Sequence, residues 1–233
     1  TWVDNASGND SKLIFTDSAT KTINVILIGK TSAVISDFSA PKISTLSIPN
    51  SVHKVGDTVT ATITVASDSD DYTSGNGAIT GNINGYTLGS LSKTNDTTYT
   101  ATFSITDNGT DVAAGSVVPV SFTLTDSSGN VSATYSTAIS QASDVIYANV
   151  PDVSLSVGSN SIAENGTTTV SASLTGSLNN LWPATTTVNL NFGGTAIGGG
   201  TEYNMSASSI VISSGSSTQA LSPGLTAIND NSA

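Results

Sequence analysis

The chain has no cysteine, and this absence removes two common ways of holding a small domain together. Without thiols it forms neither disulfides nor a thiolate zinc site. Charged residues are also scarce, at 10% of 233 residues, whereas ordinary soluble domains carry about 25%. We therefore expect a fold that does not rely on charged helix surfaces, and some other device that stabilises its modules.

Positive charge is the second scarcity. All six basic residues are lysines, arginine is absent, and the net charge is -11. Such a chain repels nucleic-acid phosphates and attracts cations to any place where its carboxylates cluster. No apolar run approaches the ~20 residues that span a bilayer, and no charged leader with an apolar stretch follows Thr1. We expect no nucleic-acid partner, no membrane span, and a soluble internal segment of a larger protein.

Serine and threonine, in contrast, make up about a third of the residues. The clearest pattern is residues 58–65, where Thr58, Thr60, Thr62 and Thr64 alternate strictly with apolar residues. A period of two predicts a strand with one dry face and one hydroxyl face. β-Branched threonine suits such a pleated surface. The sequence therefore predicts an all-β protein.

Turn signals divide the chain into short strands. Further half-buried strands are predicted at residues 99–105, 118–124 and 187–192. Turns rich in Gly, Asn and Asp are predicted at residues 54–57, 107–109, 126–130 and 164–166. Short strands at this spacing are typical of immunoglobulin-like β-sandwiches, and a chain of this length has room for more than one.

Two prolines mark predicted module starts. Pro41 and Pro151 each precede an alternating run and lie 110 residues apart, and proline suits the first residue of an edge strand. Two similar tetrapeptides, Phe-Thr-Asp-Ser around Asp17 and Leu-Thr-Asp-Ser around Asp126, lie 109 residues apart, which is nearly the same period. We expect residues 1–40 to supply C-terminal strands of a preceding repeat, 41–150 to form one sandwich, and 151–233 to begin another that is incomplete at its C-terminus.

The last segment resembles a Calx-beta module, the calcium-binding sandwich of sodium/calcium exchangers and bacterial surface proteins. The resemblance rests on the strand 153–157, the Glu-Asn-Gly turn at 164–166, the turn 194–196, Thr-Glu-Tyr at 201–203, the strand 210–212 and Ile-Asn-Asp-Asn at 228–231. It implies calcium ligands at Glu164, Glu202 and Asp230. The family usually has aspartate where Glu202 stands, and usually continues past Asp230 into two further strands.

The middle segment resembles the bacterial Ig-like repeats of large secreted adhesins. The matching residues are 54–59, 97–103 and the late turn 126–130. Together the two resemblances imply the repeat region of a bacterial adhesin or a related exported protein, which is extracellular or at the cell surface and whose modules act as spacers. The neighbouring modules of the same chain are then the principal partners.

Calcium is the cofactor that the residue types suit, because it takes six to eight oxygen ligands. Carboxylates cluster in two loops of the middle segment, and like charges so close together repel unless a cation screens them. Further acids, Asp144 and Asp152, flank Pro151 at the predicted module junction. The calcium candidates in these regions are Asp68, Asp70, Asp71, Asp107, Asp111 and Asp152. The alternative for each is a solvated loop or linker acid without metal.

The sequence predicts no enzyme. The one histidine, His53, is expected in a turn before a strand, where no serine triad would form around it. A second function class stays open, namely binding of a carbohydrate or a cell-surface receptor. One candidate is the threonine row of residues 58–64, whose hydroxyls at intervals of about 6.6 Å could match a regular lattice such as ice or crystalline polysaccharide. The other is a small patch of the aromatic residues Trp182, Tyr72, Tyr86 and Tyr203, expected mostly in turns.

Overall fold

The chain divides into two compact units, Thr1–Ser39 and Ala40–Ala233. The computed structural model describes residues 39–66, 72 and 78–229, together with three strands that precede them. In the described residues the protein is nearly all β, and the only helical segment there is one 3₁₀ turn, Leu178–Asn180. The predicted all-β class is confirmed.

The strands are numbered in chain order. They are β1 (Trp2–Asp4), β2 (Ser11–Thr16), β3 (Thr22–Leu27), β4 (Ile43–Ser47), β5 (Val52–Lys54), β6 (Thr58–Val65), β7 (Ile79–Ile83), β8 (Tyr86–Thr87), β9 (Ser92–Asn95), β10 (Thr98–Ser104), β11 (Val117–Val118), β12 (Val120–Leu124), β13 (Ile139–Ser140), β14 (Val145–Tyr147), β15 (Asp152–Val157), β16 (Thr167–Thr175), β17 (Thr186–Asn189), β18 (Tyr203–Met205), β19 (Ser209–Ile212) and β20 (Thr218–Ala227).

The first unit contains an antiparallel sheet of three strands in the order β1-β2-β3. Strand β2 is central, and its register places Leu13 opposite Trp2 on one side and Val25 on the other. These three strands are therefore consecutive and paired in sequence order, as in a simple meander.

In the second unit, the first sheet has the order β4-β6-β10-β9. The predicted alternation of β6 is confirmed, because Val59, Ala61, Ile63 and Val65 are buried while the threonines between them face outward or are half-buried. Strand β10 alternates in the same way and pairs with β6 over seven residues. The sheet thus has one dry face and one hydroxyl face.

Shorter strands form the opposite wall. Strands β12, β7 and β8 pair in that order, β11 pairs with β13, and β14 pairs in parallel with β5. Their buried side chains join those of the first sheet in one core, which includes Tyr99 and Phe103 from β10 and Phe122 from β12. The arrangement is sandwich-like.

The remaining strands build a second and smaller core. One sheet has the order β15-β16-β20-β18, and the other consists of β17 and β19. The core side chains are Val170, Ala172 and Leu174 from β16 and Ile210 and Ile212 from β19. The facing sheet is thus half as wide as the sheet that it covers.

Three local predictions need correction. His53 is not in a turn but lies in β5, where it is buried and its Nε2 lies 3.0 Å from the carbonyl oxygen of Pro49. The strand predicted to reach Phe192 ends at Asn189. The strand predicted at 118–124 is divided at Pro119, because proline has no N–H for the ladder.

None of the described residues forms a helix of the length and apolarity that a membrane crossing requires.

Candidate functional site

The connection between the two cores is the place where predicted site residues converge. Strand β14 ends at Tyr147 and β15 begins at Asp152, which leaves a linker of residues 148–151. The carboxylate of Asp111 accepts the backbone N–H of Ala148 at 2.7 Å, and that of Asp107 accepts the N–H of Val150 at 2.9 Å. Both acids were predicted as calcium ligands, and each holds the linker backbone by one oxygen.

The loop that carries these acids is tied to the linker by its own backbone as well. Asn108 adopts a left-handed conformation, with φ of 66°, which turns the chain back after β10. The next N–H, that of Gly109, donates to the carbonyl of Ala148 at 3.1 Å. The side-chain amide of Asn149 in turn donates to the carbonyl of Gly109 at 3.3 Å. The loop and the linker therefore each donate a hydrogen bond to the other.

Tyr86 lies beneath this loop. Its hydroxyl donates to the carbonyl of Thr106 at 3.2 Å, and a Cβ at Gly109 would overlap that hydroxyl. The pKa of the Tyr86 phenol is raised above its usual value, first by burial and then by the negative charges of Asp111 and Asp107. The phenol and the two carboxylates thus share one environment, and a side chain at position 109 would force the Tyr86 ring to shift.

An aromatic contact spans the same connection. The ring of Tyr147, at the end of β14, meets the ring of Trp182 with centroids 6.1 Å apart and planes at 80°. Trp182 also packs against the second core. Edge-to-face pairs of this kind add about 0.5 to 1.5 kcal/mol beyond the apolar area that they bury. The last strand of the larger core is therefore joined to the smaller one by side chains as well as by the linker.

Two of the acids that the Calx-beta resemblance selects, Glu164 and Glu202, lie in backbone segments that come together at another place. Glu164 lies in a turn closed by a bond of 2.8 Å from the N–H of Gly166 to the carbonyl of Ala163. The carbonyl of Gly166 accepts the N–H of Ala227, and the carbonyl of Glu202 accepts the N–H of Ile228, both at 2.9 Å. The backbone thus brings the Glu164 turn and Glu202 to the end of β20, just before Asp230.

The fit of these acids to calcium is partial. The carboxylate of Glu202 accepts the backbone N–H of Ile197, so one of its oxygens already has a donor, while Glu164 is exposed. Asp230 lies outside the described residues. Across residues 39–66 and 78–229, no three acidic or histidine side chains come together as a metal-binding group.

The other predicted acids are dispersed. Asp152 is exposed at the start of β15, opposite Thr175. Asp144 is fully buried, and both its oxygens lie 2.9 Å from the side-chain amide of Gln141. Asp68, Asp70 and Asp71 lie outside the described residues.

The predicted aromatic patch is not formed. Trp182, Tyr72, Tyr86 and Tyr203 each pack against a different aromatic ring, in four separate pairs. The partners are Tyr147, Tyr99, Phe103 and Phe192 respectively. Tyr72 and Tyr86 are buried in the larger core, and Tyr86 and Tyr203 lie in strands rather than turns.

The threonine row of β6 gains a second row from the strand beside it. The register of β10 places Thr102 opposite Thr60 and Thr100 opposite Thr62. At the end of the rows, the hydroxyls of Thr58 and Ser104 lie 3.3 Å apart. The outer face of this sheet therefore carries two adjacent rows of hydroxyls.

Sequence reasoning missed the linker residues Tyr147 and Asn149, and the way in which Asp107 and Asp111 act. The bonds from these acids to the linker span 43 and 37 residues. No local spacing encodes contacts of that range. The available signal was the pairing of an Asp-Asn-Gly turn with a short, uncharged linker.

No family model, curated protein or solved structure matches this chain. The class that the fold defines is an all-β protein with several sheets and two separate hydrophobic cores in its second unit.

Proposed function

We propose that this chain is an extender segment of a bacterial cell-surface or secreted adhesin, in which tandem sandwich modules hold a binding tip at a distance. The observation that carries the proposal is the bound linker. Connections between domains are mobile by default, whereas here Asp107 and Asp111 hold two of the linker's N–H groups and Tyr147 packs on Trp182. A spacer needs such resistance to bending.

The strand order supports an Ig-like identity for the middle module, residues 41–150. The order β4-β6-β10-β9 matches the A-B-E-D sheet of that fold when strands are lettered along the chain, and β7 and β12 then occupy the C and F positions. The four-stranded and two-stranded sheets that come after it support a related sandwich at 151–233, which we propose to be Calx-beta-like.

Calcium is part of the proposal at two places. In the last module Glu164, Glu202 and Asp230 would hold it, supported by the backbone bonds that bring the first two to the end of β20. At the junction, a cation would use the second oxygens of Asp107 and Asp111, and at Asp107 it would replace the side-chain amide of Asn108, which lies 3.4 Å from that oxygen. Extracellular modules bind calcium at about 10⁻⁴ to 10⁻³ M, and a hundredfold excess would stabilise the folded state by about 2.7 kcal/mol.

The test is a distance distribution across the junction. Because the chain has no cysteine, the variant with Thr102→Cys and Thr187→Cys carries two spin labels. One is at an exposed residue of β10 in the larger sandwich, and the other is at an exposed residue of β17 beside the smaller core. We expect a narrow distribution for this protein and a broader one after Asp107→Ala with Asp111→Ala. If calcium contributes, chelation broadens it as well.

The matched control is Asp96→Ala, whose side chain is 89% exposed and lies outside the linker. It should leave the distribution unchanged. A distribution as broad in the parent protein as in the double variant, with and without calcium, would remove the basis for a stiff spacer.

A second candidate function is carbohydrate binding by the hydroxyl face of β6 and β10. The observation that favours it is the second hydroxyl row, since one row alone makes no surface. Hydroxyls would repeat at about 6.6 Å along each strand and about 4.8 Å between strands. A glycan array tests this candidate: we expect glycan binding by the parent protein, with or without a chelator, and its loss after Thr60→Lys. No binding by the parent protein, or binding that survives the lysine, would contradict it.

A further inference from the structure

Strand β15 ends its sheet. It pairs with β16 alone, so the second long edge has no strand beside it in the part of the chain that the structure describes. All six residues of β15 are exposed. Edge strands in natural proteins are commonly protected by lysine, proline or a bulge. Residues 153–157, Val-Ser-Leu-Ser-Val, contain no charge and no proline.

The apolar side chains of β15 lie on the core side of the sheet. The register places Val153, Leu155 and Val157 opposite Leu174, Ala172 and Val170, which are buried core residues. Cross-strand partners in an antiparallel pair share a face. Yet the three side chains are 44%, 54% and 50% exposed, and among the described residues the facing sheet has only the two strands β17 and β19.

The backbone N–H and C=O groups of β15 that point away from β16 belong to these same three residues. Gly158, just after β15, donates its N–H to the carbonyl of Thr169 in β16 at 2.9 Å. In an antiparallel pair, hydrogen-bonded and non-bonded positions alternate. Residues 152, 154 and 156 therefore bond to β16 like Gly158, and Val153, Leu155 and Val157 direct both backbone groups outward.

The sequence of the edge is symmetric about Leu155. If two copies meet in antiparallel fashion around a two-fold axis at Leu155, this residue lies opposite its own copy and Val153 lies opposite Val157 of the other copy. All outward groups of both strands are then paired in six hydrogen bonds. The cross-strand pairs on the core face are all apolar, and on the other face Ser154 lies opposite Ser156 of the other copy. Asp152 lies opposite Gly158, so no like charges face each other.

We propose that β15 is a self-association strand, which joins two copies of this chain edge to edge into a continuous eight-stranded sheet. The partner strand is β15 of a second copy, because one register satisfies three conditions at once. It pairs the outward backbone groups, places the apolar side chains opposite one another, and keeps Asp152, the one charged residue of β15, away from its own copy. Two-fold interfaces are of this kind. Each chain carries a net charge of -11, so the copies repel at a distance and salt should strengthen their association.

Single cysteines test the register. Hydrogen-bonded antiparallel partners have Cα atoms about 5.5 Å apart, and a disulfide spans about 4.4 to 6.8 Å. Leu155→Cys should therefore form a covalent dimer under mild oxidation. Val153→Cys is the matched control, because its own copy lies about four residues, or ~13 Å, further along the strand. We expect cross-linking at least about tenfold faster for Leu155→Cys, and equal rates or the reverse order overturns the register.

Sedimentation equilibrium of the full chain at ~100 µM tests the association itself. We expect a dimer whose population rises with salt, and a monomer after Leu155→Lys, which places two like charges opposite each other. Val211→Lys makes the same change at an apolar residue of β19 with 47% exposure and should leave the dimer intact. A monomeric parent chain, a dimer that survives Leu155→Lys, or a monomer that instead takes up an unrelated extended apolar peptide would each refute self-association.

Discussion

At the scale of single residues, aspartate carboxylates act as acceptors for backbone N–H groups. Asp57 accepts the N–H of Lys54 and contacts its ammonium group, Asp126 closes the turn after β12, and Asp107 and Asp111 hold the linker. Hydrogen bonds to an ionised acceptor are about twice as strong as neutral ones. In a chain without disulfides, these bonds fix the turns and the linker.

Asp126 offers the sharpest test of this use of carboxylates. It is 3% exposed and accepts three bonds of 2.8 to 2.9 Å, from the N–H groups of Ser128 and Asn130 and from the side-chain amide of Asn130. We expect Asp126→Ala to lower the free energy of unfolding by about 1 to 3 kcal/mol, because the three N–H donors of the turn lose their carboxylate acceptor. Urea unfolding measures the loss. Asp96→Ala, at a salt bridge with an 89% exposed side chain, should change the value by less than about 0.5 kcal/mol.

The raised pKa of Tyr86 predicts a loss of stability in alkali. Burial, with the charges of Asp111 and Asp107, keeps this phenol protonated in the folded chain at pH values where the unfolded chain ionises. Its contribution is therefore fully present below the unfolded pKa of about 10 and is lost as the pH rises through the folded value. Unfolding free energies between pH 8 and 11 should fall less steeply for Tyr86→Phe. Parallel curves for the two proteins would contradict this assignment.

At the scale of elements, the two prolines that were predicted to be the first residues of edge strands lie just before those strands. Pro41 and Pro151 shortly precede β4 and β15, and each of these strands lies at the edge of its sheet. An edge position leaves a missing N–H without cost to the ladder. The two strands differ in how their apolar side chains are covered, because Leu46 of β4 packs against the larger core whereas β15 exposes its apolar row.

Gly81 shows how close two strands approach within the larger sandwich. It lies in β7 with φ of 142°, opposite Phe122 of β12, and a Cβ there would overlap the backbone of Ser121 and Phe122. We expect Gly81→Ala to destabilise the protein by about 1 to 3 kcal/mol, as overpacking does, with a lower melting temperature. Gly193→Ala is the matched control, because a Cβ at Gly193 meets nothing within 4 Å. Equal melting temperatures would show that β7 and β12 can separate freely.

The sequence predicted strands best where one face is buried and the alternation is uninterrupted, as in β6. It missed β20, because Ser222-Pro223-Gly224 in its middle has the composition of a turn. The structure accommodates these residues at an irregularity, where Val170 pairs with Leu221 but Thr168 pairs with Leu225. Strand β20 forms because it pairs with β16, and the local amino-acid composition does not predict such pairing.

The candidate site was less predictable than the strands, for a related reason. Clustered acids were sufficient to select Asp107 and Asp111, but the linker atoms that they bind lie about forty residues later. Composition identifies carboxylates, but it does not show whether each one binds a cation or accepts a hydrogen bond from a backbone N–H. Only the fold shows that each of these two carboxylates accepts a linker N–H.

At the scale of the whole second unit, two cores of unequal size are linked in series. Of the described residues, 22 buried hydrophobic side chains form the larger core and five form the smaller one. Because apolar burial is the dominant favourable term in folding, the smaller core should unfold first. Unfolding would then proceed in two steps, and the first step would release the linker.

Trp182 provides a local signal for that first step. The chain has two tryptophans, so Trp2→Phe leaves Trp182, which packs against the smaller core, as the only one. In urea we expect its fluorescence to change at a lower concentration than the main far-UV circular dichroism transition. Calcium, if it binds at Glu164 and Glu202, should move only this early transition to higher urea.

Two core truncations show whether the steps are separate. Leu174→Ala, at a residue 2% exposed in the smaller core, should weaken the early transition by about 2 to 5 kcal/mol, and Phe122→Ala in the larger core should weaken the late one by about 3 to 5 kcal/mol. Each variant should leave the other transition in place. If both signals instead move together in both variants, the linker and the contact between Tyr147 and Trp182 couple the cores into one cooperative unit. The resistance to bending would then extend to unfolding itself.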